Sequence, residues 1–159
     1  MLLQIVAAFL ATVCFSIMFN TAKNQLIYSG IIGAIGWGVY LICYETYALS
    51  IVFSTFFAAM VVNILSHMTC RIRKAPVTVF LVAGIIPLVP GITFYQSIYY
   101  LTTEQYDLSL STGILTFQIA GVIALSVMFG TTLFNIKDRS HRHHLAQSGD
   151  KPTIHSDDL

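Results

Sequence analysis

Every Lys, Arg, Asp and Glu of the chain falls outside five uncharged stretches, at residues 2–19, 27–43, 49–68, 77–101 and 112–136. Each stretch is 17 to 25 residues long. A helix rising about 1.5 Å per residue needs roughly 17–25 apolar residues to cross about 30 Å of hydrocarbon, so each can span a membrane once. A transmembrane barrel would need short segments of alternating polarity, and none is present. With 56% apolar side chains, 9% charged ones and a mean hydropathy of +0.76, the chain lies far from the range of water-soluble domains. The expected fold class is an all-α integral membrane protein with about five transmembrane helices over residues 1–136 and a disordered cytoplasmic tail over 137–159. The first stretch has no basic n-region and runs into Asn20-Thr21-Ala22-Lys23 without a small-residue cleavage site, so it reads as a retained helix.

The basic residues set the orientation. Lys23 lies between the first two stretches, Arg71, Arg73 and Lys74 between the third and fourth, and Lys137, Arg139, Arg142 and Lys151 after the fifth. The alternate connections carry only Glu45, Glu104 and Asp107. The positive-inside rule then places the N-terminus outside and the C-terminus in the cytoplasm of a cell-membrane protein. Tyr40, Tyr44 and Tyr47, with Tyr99, Tyr100 and Tyr106, read as an aromatic belt at the outer interface. In the tail, His141, His143 and His144 belong to a solvated basic segment beside anionic lipid rather than to a metal site. Cys14, Cys43 and Cys70 are odd in number and widely spaced, so they read as packing residues. No cofactor and no nucleic acid partner is expected.

The fourth stretch, VTVFLVAGIIPLVPGITFYQSIYYL, holds Pro87, Pro90 and Gly91 at its centre. A proline has no amide hydrogen and clashes with the preceding turn, so the carbonyls of Ala83 and Ile86 would be freed and the helix broken. Residues 77–86 rise roughly 15 Å, which puts the break at mid-membrane. Irregular backbone at that depth persists only where protein or a water-filled cavity satisfies it, as in the substrate sites of transporters with discontinuous helices. Beyond the break, Thr93, Gln96, Ser97 and Tyr100 recur at i, i+3, i+4 and i+7 and share one face. With Pro90 at or near the first helical position, the unpaired amides there favour an anion such as a carboxylate. The alternative is a proline kink whose polar face bonds neighbouring helices.

Asn63 and Ser66 in the third stretch, and Thr116 and Gln118 in the fifth, are further intramembrane polar residues. Asn63 and Gln118 either bond between helices or contact substrate. Gly30, Ala34 and Gly38, with Gly33 and Gly36, form a close-packing face on the second helix, open either to this chain or to a partner; Ala120 and Ala124 repeat it more weakly on the fifth. No span contains Asp, Glu, Lys or Arg, whereas ion-coupled carriers usually bury ionisable residues. A coupling residue is therefore expected in another subunit, with Glu45 and His67 as local alternatives. No nucleophile–base pair or phosphate loop is visible, so an enzyme is not expected.

The run from 71 to 101, RIRKAPVTVFLVAGIIPLVPGITFYQSIYYL, resembles the threonine/serine exporter family, in particular its small, split subunit. The basic pair before Ala75-Pro76 and the segment from Ile86 to Gly91 carry the match. The resemblance implies a larger membrane subunit as partner and export of threonine or serine, or, in some split pairs, of dicarboxylates such as succinate. It marks Pro87, Pro90 and Gly91 as motif positions; substrate contact by Thr93, Gln96, Ser97, Asn63 and Gln118 is inferred from geometry. The expectation is a subunit of a secondary exporter of small carboxylate-bearing metabolites, an amino acid or organic acid, acting with that larger subunit or as a homo-oligomer in lipid. A non-transporting assembly subunit is the alternative from another class.

Overall fold

A computed structural model describes residues 1–148, with side chains as far as Thr132 and that of Phe134. Among the described residues there is no strand. The helices are α1 (Leu2–Met18), α2 (Lys23–Leu41), which runs on through a π-helical turn (Ile42–Thr46), α3 (Ile51–Arg73), α4 (Val77–Ile85), which ends in a 3-10 turn (Ile86–Leu88), α5 (Gly91–Thr102) and α6 (Tyr106–Ser148). Lys23–Thr46, Ile51–Arg73 and Tyr106–Thr132 are each long and apolar enough to cross a membrane. Val77–Leu88 and Gly91–Thr102, bent by 49°, make a fourth span if the pair is taken together. α1 is apolar but has only 17 residues, so the expected count of five depends on it. Residues 137–148, read from the sequence as the start of an unstructured tail, continue the helix of α6. Residues 149–159 and the side chains of His141, His143 and His144 lie outside the described residues.

Packing is inverted relative to a water-soluble core. Thr12, Ser16, Ser29, Ser54, Asn63, Ser66 and Ser126 are fully buried, while Leu2, Leu3, Met18, Ile72, Ile92 and Phe117 face outward. Lipid tails are as apolar as leucine, so what draws these helices together is close approach and hydrogen bonding between small and polar groups. The buried hydroxyls of Thr12, Ser16 and Ser66 donate to the carbonyls one turn earlier, at 2.8, 2.8 and 2.7 Å. The apolar centre gathers Ile32 from α2, Ala58, Ala59 and Val62 from α3, Phe80 from α4 and Leu88 from the turn after it.

The small-residue face of α2 is used within the chain. A β-carbon on Gly30 would come within 2.6 Å of Val13 and 2.7 Å of Phe9, and one on Gly33 would collide with Thr12, all on α1; one on Gly36 would collide with Val62 of α3. That face is therefore not free for a partner. Ala120 and Ala124 of α6 do stay exposed, and nothing lies within 4 Å of a β-carbon added at the adjacent Gly121. At the other end of the bundle, Arg73 donates to the Asn24 carbonyl at 3.1 Å and sits 4.5 Å from the Tyr28 ring, so the connections holding Lys23 and Arg71–Lys74 share one end of the bundle.

Candidate substrate cleft at the helix break

Pro87 ends α4, and the chain recovers part of what the prolines cost. The Val89 amide donates to the Ile86 carbonyl at 3.2 Å, and the Gly91 amide to the Val89 carbonyl at 2.8 Å. The Ile86 carbonyl, expected to be freed by Pro90, is thus taken back by a 3-10 turn. Pro90 is the N-cap of α5 rather than its first helical residue, and no side chain caps this helix start. The helix begins with amides that lack a side-chain partner, which is the arrangement that attracts an acceptor or anion.

Beside the break lies a cleft of about 280 Å³, lined by residues 87–93, by Trp37 and Tyr40 of α2, by Ile51 and Thr55 of α3, and by Ile119 of α6. Of the residues named from the sequence, Pro87, Pro90, Gly91 and Thr93 line it together. The remaining candidates do not join them. Gln96 and Gln118 are exposed on the outer surfaces of α5 and α6. Ser97 is bound up in a reciprocal pair with α6: its hydroxyl donates to the Ser109 carbonyl at 2.9 Å, and the Ser109 hydroxyl returns to the Ser97 carbonyl at 2.8 Å. Asn63 is buried against α6, donating to the carbonyls of Ser126 and Val127. Of the four-residue polar face on α5, then, one member reaches the cleft and one fastens α5 to α6.

Trp37, Tyr40 and Thr55 line the cleft without having been singled out as site residues. Trp37 and Tyr40 stack at 5.1 Å, and Tyr40 stacks on Tyr44 at 5.9 Å, so the tyrosine read as part of an interfacial belt is partly buried in an aromatic ladder that descends to the break. Their spacing of three and four on α2 was a helical signal that could have flagged them. The indole Nε1 of Trp37 is buried with no hydrogen-bond partner. Trp37 and Pro87 also line a second cavity of about 280 Å³ on the α1 side, with Gln4, Ala7, Ala8 and Ala11. The Thr55 hydroxyl donates to the Ile51 carbonyl at 2.8 Å and that of Thr93 to the Pro90 carbonyl at 3.1 Å. No charged side chain lines either cavity, and among the described residues no group of three His, Cys, Asp or Glu could hold a metal. The cleft can therefore bind a small molecule through backbone amides, hydroxyl oxygens and aromatic faces.

A family model described as Threonine/Serine exporter, ThrE, matches residues 4–133, which include the whole cleft. No solved structure matches the chain.

Proposed function

As the chain belongs to the threonine/serine exporter family, we propose that this membrane-embedded transporter component is one subunit of a secondary exporter that moves threonine or serine out of the cytoplasm by alternating access, with substrate held in the cleft at the α4–α5 break. The observation that carries this reading is the cleft itself. It forms at the 49° bend between Val77–Leu88 and Gly91–Thr102, which taken together are long and apolar enough for one span, and it is lined by Pro87, Pro90 and Gly91. Discontinuous helices place uncapped amides and irregular backbone where a small polar solute can replace water, at the depth from which either side can be reached.

The working protein, in this proposal, pairs this chain with a larger membrane subunit of the same family, or with a second copy. The five spans that the sequence leads one to expect, with α1 as the fifth, would fit it, because joining two halves with an odd number of spans end to end inverts the second and yields an inverted repeat. The packing of α5 supports it too, since among the described helices α5 contacts α6 alone and buries no residue fully, which leaves much of its surface open to another subunit. The charge pattern supports an external N-terminus and a cytoplasmic C-terminus in the cell membrane.

The test is efflux of labelled threonine and serine from cells carrying the chain or its Gly91→Leu variant. A β-carbon on Gly91, one of the residues that line the cleft, meets nothing within 4 Å, so a larger side chain is accommodated there without displacing backbone. Membrane levels should be unchanged while efflux falls at least tenfold; normal efflux from Gly91→Leu would remove the cleft from the transport path.

A further inference from the structure

We propose that α6 carries a self-association seam, Ile114, Gln118, Gly121, Leu125, Met128 and Thr132, along which two copies of this chain pair in parallel in the membrane, with Gln118 bonded to its own counterpart. This rests on the reading of the chain as a membrane-embedded subunit that works with another, and not on the cleft. The observation behind it is an amide in apolar surroundings. Gln118 stands twelve residues after Tyr106 and fourteen before Thr132, near the middle of the span Tyr106–Thr132, with roughly 18 Å of helix to the nearer end. It is exposed on the outer side of α6, and among the described residues no hydrogen bond engages it. Hydrocarbon offers a carboxamide no partner, and at that depth the side chain is too short to reach either interface. Asn63, by contrast, is buried and donates to two carbonyls of α6.

The residues around Gln118 have the spacing of a helix seam. Ile114, Gln118, Gly121, Leu125, Met128 and Thr132 follow at intervals of 4, 3, 4, 3 and 4, the heptad period at which one helix winds along another, and all six are exposed. Thr116, Ile119, Ser126 and Gly130, on the opposite side, are buried against the rest of the chain. A second exposed stripe, through Phe117, Gly121 and Ala124, has similar spacing but holds no polar group in need of a partner, so Gln118 selects the first. The occupant follows from symmetry. Copies of one chain share an orientation in the membrane, so a twofold axis between them runs along the membrane normal and sets each seam residue opposite itself. A carboxamide is its own complement, with two N–H donors and an acceptor oxygen, so Gln118 and its counterpart can exchange hydrogen bonds in both directions. A single polar residue in an otherwise apolar seam fixes register and helix number. Gly121, where an added β-carbon would meet nothing within 4 Å, lets the two helices approach closely one turn away.

The full chain, with Cys14, Cys43 and Cys70 replaced by serine, would carry one new cysteine at a time and be oxidised with copper phenanthroline in the membranes of cells that express it. Gly121→Cys, Leu125→Cys and Met128→Cys should give a disulfide-linked dimer of twice 17.6 kDa, and Ala120→Cys and Ala124→Cys should stay monomeric. In a second measurement, donor- and acceptor-labelled chains in lipid vesicles would be diluted with lipid while energy transfer is followed. Gln118→Leu should raise the dissociation constant about tenfold, in line with the worth of hydrogen bonds between helices in a bilayer, and Gln118→Asn should keep most of the association. Because Gln118 is exposed and makes no bond within its own chain, neither change should alter helicity by circular dichroism. Linkage at Ala124 rather than Leu125, no linked dimer at any position, linkage only to a larger subunit of the same family, or unchanged dissociation in Gln118→Leu would each overturn the seam. None of these outcomes bears on the cleft, whose readout is efflux.

Discussion

The carboxamide of Asn63 on α3 occupies the space that Gly130 leaves open on α6, donating from Nδ2 to the Ser126 carbonyl at 3.2 Å and to the Val127 carbonyl at 2.9 Å. A β-carbon at Gly130 would come within 2.6 Å of the Asn63 Cγ. Gly130→Ala should therefore push Asn63 off both carbonyls and destabilise the purified protein by roughly 1–3 kcal/mol, the usual cost of overpacking. Gly121→Ala on the same helix, where an added β-carbon meets nothing within 4 Å, should cost nothing and raise stability by up to about 1 kcal/mol. Thermal unfolding of the two variants in one detergent checks the contrast.

Replacing both prolines at the break, by Pro87→Ala with Pro90→Ala, should let α4 and α5 run on as one helix. The protein should become more stable, because two interior prolines no longer interrupt the backbone ladder. Efflux should nonetheless fall to background as the cleft closes. Wild-type efflux from this variant would mean that the bend has no part in transport.

The proposed sidedness rests on the charges of the connections. In a chain whose Cys14, Cys43 and Cys70 are replaced by serine, a single cysteine at Asp107 should react with an impermeant maleimide added to whole cells, and one at Lys74 should react only after the membrane is opened. The opposite labelling pattern would reverse the proposed orientation.

The partner proposal has its own readout. Chain reconstituted alone into liposomes should release no threonine above empty vesicles, and release should appear when a larger subunit of the same family is added. Transport by a preparation shown to be monomeric would exclude an obligate second subunit.

Ala48, one residue past the C-cap Tyr47 of the π-helical turn after α2, has φ of 49°, in the left-handed region that a β-carbon disfavours. Ala48→Gly should raise stability by on the order of 1 kcal/mol, with transport unchanged. A drop in melting temperature would show that the Ala48 methyl group is held by contacts stronger than the strain.

Much of this was legible in the chain because hydrocarbon leaves few choices. A stretch such as 77–101 has no charge to place and so must lie in apolar surroundings, and Pro87 and Pro90 cannot sit in an unbroken helix wherever it packs. What the sequence could not show is which way a polar side chain turns. Gln118 and Asn63 are both amides within apolar helices, yet Gln118 faces outward and Asn63 is buried, because only Asn63 stands opposite a residue without a side chain. Nor could spacing tell that Gly30 and Gly33 would be filled by α1, since a glycine face accepts any close neighbour. Thr55 was invisible for a related reason: nothing local marks a threonine of α3 as standing opposite the break in α4.

Because α5 is held, among the described helices, by α6 alone, with the facing pair Ser97 and Ser109 hydrogen-bonded across that contact, it is a cantilever. The far wall of the cleft is carried on a beam anchored along one edge, while α2, α3 and α4 brace one another. The width of the cleft is then governed from outside it. Adding a methyl group at Gly113, which would press within 3.1 Å of the Ser97 hydroxyl, would tilt the beam and alter the cleft without touching any group that lines it.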